Sequence, residues 1–509
     1  MIDRSRIILV PIDNRPITYA FPQLIAHLAG IEAIVPPAEI IGSSKAPPNI
    51  EALSEWLDRT LKEMQPASLV ICLDSLIYGG LVASRCCSDP LEVLLKRTKN
   101  ILGWKQLTST ELKVLAQSSI MRISDNYYNN EEKPYWSEYG REIFRWSEFL
   151  HKQKRGLLKE ESQLVQLKEL ESKIPSRVRQ DYLDTRERNF QVHLNLIEYV
   201  QSGNIDFLIL SQDDTGKYGL NVFEKEELIL RCNQQKIDNV AAYVGTDEVS
   251  MVLLCRGLVL NSPTKPKCAV RFNLEQGKSV LSNYEGQSIE ESLKAQMRTI
   301  AIETVSPSNA NSSAENFAII VHAAKDIQGD HVWLSGHPDR RTLDTSEEVE
   351  KTMSLLETAT TPCVICDVAY SNGADPLLIE QLMRRKDLVG KLWGYAGWNT
   401  TGNTIGTALA LGVARWYAKG EQRSGRRSAD TDVSTDAAFK QAMFTRFADD
   451  WAYQTQVRPE LSEPSDEKLN QLMKSYLSQI ADMLDFKPKN VQLRLPWQRT
   501  FEVEIKLHD

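Results

Sequence analysis

No apolar run in these 509 residues approaches the roughly 20 that a membrane-spanning helix needs, so no membrane is expected as a partner. Surplus positive charge is lacking as well. The net charge is -8, whereas non-specific nucleic-acid binding needs a basic surface, so no nucleic acid is expected either. Histidine is scarce: 7 residues, none at HxxxH spacing, which argues against a histidine-built zinc centre. The phosphate-cradling GxxxxGK[ST] pattern is absent, and so is any internal repeat. Residues 1–10 lack the basic region, apolar core and small-residue cleavage site of a secretory leader, and cytoplasmic residence is the expectation. The 8 cysteines are scattered. Cys363 and Cys366 form a CxxC, but inside an apolar run rather than on a turn or helix start, and they read as core residues. These patterns assign no cofactor and no metal ion.

What is present is a composition of 42% hydrophobic and 25% charged residues, that of a soluble globular protein with one large decorated domain or two to three domains. Apolar runs at 6–12, 32–35, 68–73, 112–120, 207–210 and 240–244 read as strands, with helical patterns between them. In 50–64, Leu53, Trp56, Leu57 and Leu61 fall on one helix face. Residues 135–203 read as a helical-hairpin insertion, with helices over 152–173 and 176–200. A smaller α/β insertion is expected within 256–355, including a polar loop at 306–315. Further strands are expected at 363–366, 392–395 and 501–507, a mobile Ser-rich linker at 420–435, and tail helices at 436–447 and 466–484. The expected division is a core of 1–255 and 356–420, the 256–355 insertion, and a linker with a helical extension at 421–509. Strand counting gives an α/β fold with a (β/α)8-barrel-like core; a doubly wound parallel sheet is the alternative.

Acids gather where these strands end. Leu73-Asp74, Gln212-Asp213-Asp214 and Thr246-Asp247-Glu248 each follow an apolar run. Carboxylates at the carboxyl ends of parallel strands are where α/β enzymes place chemistry. Adjacent Asp213 and Asp214 repel in a dry site, so one carboxyl is pushed toward its protonated form, and one protonated with one ionised carboxyl is what glycosidic cleavage needs. Such a pair also serves N-acetylated sugars, one acid orienting the acetamido group and the other donating the proton. The same acids suit Mg²⁺ or Mn²⁺, and Asp-Asp-Thr-Gly is equally good turn chemistry. Asp247 and Glu248 form a second pair, with helix capping as the structural alternative.

The expected substrate-binding residues surround these acids. Asp13 and Arg15 share a face while the chain before Pro16 stays extended. Asp74, Tyr78 and Arg85 flank a Gly79-Gly80 turn. Arg186 and Asn189, three apart on a helix, either lean over the pocket or point to solvent. Trp398 and Asn399, in a run of small residues and amides, suit stacking on a pyranose and binding its hydroxyls; a tight strand-to-helix turn is the alternative.

Several segments resemble an uncharacterised bacterial family catalogued as domain of unknown function 4127. They are Pro11-Ile12-Asp13-Asn14-Arg15-Pro16, Asp74 with Tyr78-Gly79-Gly80 and Ser84-Arg85, and Arg186-Glu187-Arg188-Asn189. Gln212-Asp213-Asp214, Thr246-Asp247-Glu248, Asn283-Tyr284-Glu285, Gly397-Trp398-Asn399-Thr400 and Asp449-Asp450-Trp451-Ala452-Tyr453-Gln454 complete the set. The resemblance covers nearly the whole chain and implies no activity. The residues themselves point to a glycoside hydrolase or related enzyme on a small polar substrate, a sugar. A Mg²⁺- or Mn²⁺-dependent hydrolase and a non-catalytic sugar- or metabolite-binding protein are the alternatives.

Overall fold

The computed structural model describes residues 3–43, 48–108, 111–305, 315–332, 343–423 and 429–508. Its fold is α/β, as expected, with most of the strands shared between two main sheets. The chain forms two compact units. The first comprises Met1–Asp13, Ile34–Val249 and Tyr284–Gly286; the second comprises Asn14–Ala33, Ser250–Asn283 and Gln287–Asp509.

The first sheet contains β1 (Asp3–Val10), β2 (Glu32–Ile34), β3 (Pro66–Cys72), β4 (Lys113–Ile120), β5 (Phe207–Gln212) and β6 (Val240–Val244), in the order β2-β1-β3-β4-β5-β6. Among the described residues its two edge strands do not pair with each other. All residues of β3 and β5 are buried, which is why these strands read as unbroken apolar runs rather than as alternating ones. The order reverses between β1 and β3, the kind of switch point where open α/β sheets bind ligands. The helix Ile50–Met64 forms where its apolar spacing predicts it. Asn49 accepts the Ala52 N–H at its start, and Leu53, Trp56, Leu57 and Leu61 are its buried face.

Between β4 and β5 lie three helices rather than two: Trp136–Lys154, Glu161–Lys173 and Ser176–Gln201. Aromatic residues in 135–150 obscure the first one, because they build a separate core rather than a simple stripe. Trp136 and Trp146 both pack against Tyr182, at centroid distances of 6.0 and 6.4 Å, beside Ile143, Leu167 and Val178.

The second unit's sheet contains β7 (Lys267–Phe272), β8 (Glu303–Thr304) and β9 (Phe317–His322). The short β10 (Gly329–Asp330) and β12 (Tyr370–Ser371) pair with each other, while β11 (Cys363–Asp367) and β13 (Leu392–Ala396) complete the main sheet. Its order is β13-β11-β9-β7-β8. The expected segment boundaries are corrected here. The sequence pattern groups residues 356–420 with the first strands, yet β11 pairs in parallel with β9 along its whole length, so the 256–355 segment is part of this sheet rather than a separate insertion. Pairing partners are not encoded in the spacing of apolar runs. Cys363 and Cys366 are free and fully buried in β11.

The helix Thr401–Arg423 follows β13 and packs on β11, closely enough that a Cβ at Gly412 would run into Val364 Cγ2. The expected linker is helical at 420–423, and the helix Ala429–Arg446 takes in 429–435; 424–428 lie outside the described residues, as do 306–314 of the expected loop. The tail helix Asp466–Leu484 forms as expected. The final strand, β15 (Glu504–His508), pairs antiparallel with β14 (Asn490–Arg494), a strand that its short, half-exposed run does not announce. Among the described residues no helix is long and apolar enough to cross a membrane.

Candidate functional site

The carboxyl ends of β3, β4, β5 and β6 place polar groups side by side in the first unit. Asp74 falls in the short helix Leu73–Ile77 that starts as soon as β3 ends. Its fully buried carboxylate accepts from Ser118 Oγ at 3.0 Å and Ser119 N at 2.9 Å, both on β4. Burial pushes Asp74 up to about 6, against those two serines and the Arg85 charge. The exits of β1 and β3 are tied together: Ser75 Oγ donates to Pro11 O at 2.8 Å, leaving half-buried Asp13 at the same edge.

Asp213 and Asp214 leave β5 into a lattice of ion pairs. Arg85, 2% exposed, donates to Asp213 Oδ2 at 2.8 Å and to Glu132 Oε1 at 3.4 Å. Arg122 Nη1 reaches Asp213 Oδ2 at 3.1 Å and Asp214 Oδ2 at 3.4 Å. Its other nitrogens bond Glu132 Oε1 at 2.9 Å and Glu131 Oε2 at 3.1 Å. Asp213 therefore takes both guanidinium groups, and Asp214 only the edge of one. Loss of hydration under the surrounding protein and the neighbouring Asp213 charge push Asp214 up to about 7, while Arg122 and Arg85 oppose the rise. The 41% of its side chain in contact with solvent also works against that rise. Asp214 sits at φ +32°, a left-handed conformation of the kind that clusters at functional sites.

Sequence reasoning missed Arg122, Glu131 and Glu132. Arg122 carries the same signal as the acids, since it lies two residues beyond β4. Glu131 and Glu132 carry none, because the loop that returns them to the strand ends is set by tertiary packing.

The remaining expected residues are placed as follows. Asp247 (7% exposed) and Glu248 (0%) follow β6; burial, with Asp247 and Glu285 beside it, pushes Glu248 far above the usual carboxylate range. Tyr78 is buried under the Arg188 guanidinium. Arg186 neither leans over a pocket nor points to solvent. It is 2% exposed and holds Glu224 through two bonds of 2.6 Å and Met121 O at 2.9 Å, locking its helix to the end of β4. Asn189 Nδ2 donates to Ser84 O at 2.8 Å and so braces the turn that carries Arg85. Arg15, Trp398 and Asn399 belong to the second unit. The Arg15 guanidinium lies over the Trp497 ring. Trp398 is 1% exposed and edge-on to Phe501, so it is a packed core ring without an open face for a sugar. Asn399, at φ +61°, accepts Asn372 N–H at 2.7 Å through its backbone carbonyl, in the tight turn that is the alternative reading of this segment.

A family model described as "Protein of unknown function (DUF4127)" matches residues 7–506. The chain belongs to this family. The match runs through both units and takes in all of the second unit's main sheet and the first sheet apart from the opening residues of β1. Neither the curated proteins nor the solved structures yielded a match. Among the described residues, no three His, Cys, Asp or Glu side chains are grouped so as to hold a metal ion.

The Asn283-Tyr284-Glu285 motif has a local explanation. Tyr284–Gly286 belongs to the first unit, where Tyr284 O accepts Thr215 N–H at 2.7 Å and so fixes the turn bearing Asp214. Gly286 adopts φ +64°, and a Cβ there would run into the Gly216 backbone. Gly286→Ala is therefore expected to destabilise the protein by about 2–4 kcal/mol, from left-handed strain plus a backbone clash. Chemical denaturation checks this; an unchanged midpoint would show that the turn yields freely.

Proposed function

We propose that the first unit hydrolyses a glycosidic bond in a small sugar, with Asp214 donating the proton and Asp213 serving as the fixed carboxylate that orients the substrate. One observation carries this reading. Two adjacent carboxyls have unequal surroundings: Asp213 is held by Arg85 and Arg122, while Asp214 is pushed up to about 7 and keeps 41% of its side chain in contact with solvent. Titratable neighbours driven apart by their environment mark a division into acid and base roles. At the same sheet edge burial favours the protonated form of Glu248 and shifts Asp74 in the same direction, so the surroundings of these two acids are dry. The acids Asp213, Asp214, Glu131 and Glu132 outnumber the two arginines, which favours a neutral or amino sugar over a phosphorylated one.

The test is a panel of chromogenic aryl glycosides, including N-acetylated ones, incubated with the full chain. Release of the aryl alcohol in an Asp214-dependent manner supports the reading; no cleavage of any member counts against it. Arg122→Gln sharpens the test. Because Arg122 opposes the rise of Asp214, its removal is expected to move the alkaline limb of the pH–rate profile to higher pH. A limb that stays in place would detach Arg122 from the proton donor.

A further inference from the structure

Residues 125–131 form a loop between β4 and the helix Trp136–Lys154, and the ion pairs that hold the candidate acids also hold this loop. Arg122, just before it, bonds Glu132 Oε1 at 2.9 Å and Glu131 Oε2 at 3.1 Å at its far end. Arg85 bonds Glu132 on one side and Asp213 on the other. The middle of the loop is tied down as well. Tyr128 N–H donates to Asn126 Oδ1 at 2.9 Å, and Glu132 N–H donates to Asn129 O at 3.2 Å. Asn126 O is seated so closely on the helix that a Cβ at Gly140 would run into it. Tyr127 Oη donates to Glu142 Oε1 at 3.1 Å, and its ring lies under the Arg141 guanidinium.

The Tyr128 ring is the exception. It enters no hydrogen bond, ion pair or ring contact among the described residues, and at 78% exposed it is the most open large apolar side chain among them. An aromatic ring kept in water forgoes the burial that folding rewards, yet this one stands on a loop that is already immobilised. Such a ring is a preorganised platform, because a ligand that covers it has only two side-chain torsions to fix. The residues around it in sequence, Asn126, Asn129 and Asn130, carry no charge and offer amide donors and acceptors. One open aromatic face with amides beside it suits a ligand that has both C–H faces and hydroxyls. The platform is also near the acids. Tyr128 precedes Glu131 by three residues, so their Cα atoms are at most about 11 Å apart. Glu131 in turn shares Arg122 with Asp214, whose Oδ2 lies 3.4 Å from the same guanidinium.

We infer that Tyr128 is a specificity-determining residue of the Asp213–Asp214 site: it stacks on a second sugar ring joined to the one at the acids, and the substrate is at least a disaccharide. This inference rests on the glycosidic reading of that site.

The test compares two substrates of the full chain, a disaccharide and the methyl glycoside of the same sugar and anomeric configuration, taken from the class that the aryl glycoside panel shows to be cleaved. The disaccharide is expected to have the higher kcat/KM. Tyr128→Ala is expected to lower the ratio of the two kcat/KM values about tenfold, through KM rather than kcat, because the ring holds ground state and transition state alike. Tyr128→Trp, which restores an aromatic face, is expected to restore the ratio; a merely structural role would not produce that rescue. The side chain is exposed, so both variants keep the core intact. A ratio that Tyr128→Ala leaves in place, or a loss confined to kcat, overturns the inference while the roles of the acids stand. An unchanged ratio with a lower sedimentation mass makes Tyr128 a contact between copies of the chain and overturns it too. No cleavage of any glycoside by the unaltered protein overturns the inference together with the reading on which it rests.

Discussion

Asp214→Asn is expected to lower turnover by about 10²–10⁴-fold, the usual contribution of a positioned acid or base. The amide preserves the shape of the side chain and still offers hydrogen bonds, so substrate affinity changes far less than turnover. The alkaline limb that Asp214 imposes near pH 7 is expected to disappear, since no proton remains to be lost there. Removing the carboxylate also relieves repulsion with Asp213, so folding stability holds or rises slightly. Measuring turnover, folded fraction and metal dependence on this one variant separates three readings. A catalytic acid gives the loss described, with folding intact. Activity restored by excess Mg²⁺ or Mn²⁺ moves Asp214 into a metal site. Full activity per folded molecule leaves it as a turn residue.

The same carboxyls show how far the sequence can be read. Asp74, Asp213, Asp247 and Glu248 announce themselves because a buried parallel strand is a short apolar run, and the residue after it must meet whatever lies at the sheet edge. That rule is local and survives translation into structure. Trp398 satisfies an equally local rule, small residues and amides around one aromatic, yet its ring is enclosed by Phe501. Whether an aromatic is open or covered depends on what the distant chain places over it. Arg186 fails for a related reason: its position on a helix face is legible, but its partner Glu224, 38 residues away, is not. The division of the strands between two sheets is hidden too, since an apolar run does not name its neighbour. The motif Asp449-Asp450-Trp451-Ala452-Tyr453-Gln454 carries a resemblance without a role. In the structure it is a helical strap inside the second unit, part of the helix Phe447–Val457. Asp450 Oδ2 accepts Gly397 N–H at 2.7 Å, Asp450 O accepts Ala374 N–H at 2.8 Å, and Tyr453 Oη donates to Thr500 O at 2.8 Å.

That strap hangs on one cation, and Arg446→Met is expected to destabilise the protein by about 3–5 kcal/mol at pH 9, the typical cost of leaving a buried partner uncompensated. Arg446 is 2% exposed, bonds Asp450 Oδ1 and Asp449 Oδ2 at 3.0 Å each, and covers the Phe21 ring at 4.5 Å. The loss depends on pH in a direction fixed by the carboxyls. Burial pushes Asp450 up to about 8, with Asp449 and Asp367 raising it and Arg446 opposing; Asp449 is raised by burial as well. An acid raised in the folded state binds its proton more tightly there than in the unfolded chain. Its stabilising contribution is fully present below about pH 4 and is lost as pH rises through about 8. Asp367, pushed up to about 6, and His322, raised by Asp375 and Asp367, act in the same sense; Asp375, lowered by His322, acts against them. At pH 5 Asp450 therefore holds its proton with or without Arg446, and fewer charges are stranded. The variant should then lose only about 1–2 kcal/mol, from hydrogen bonds and the Phe21 contact. Arg446→Lys, which keeps the charge but not the fork, should fall between the two at pH 9. Denaturation of the three proteins at pH 5 and pH 9 decides the matter. A penalty equal at both pH values would mean that Arg446 acts through packing alone, and the charge argument for the strap would have to be abandoned.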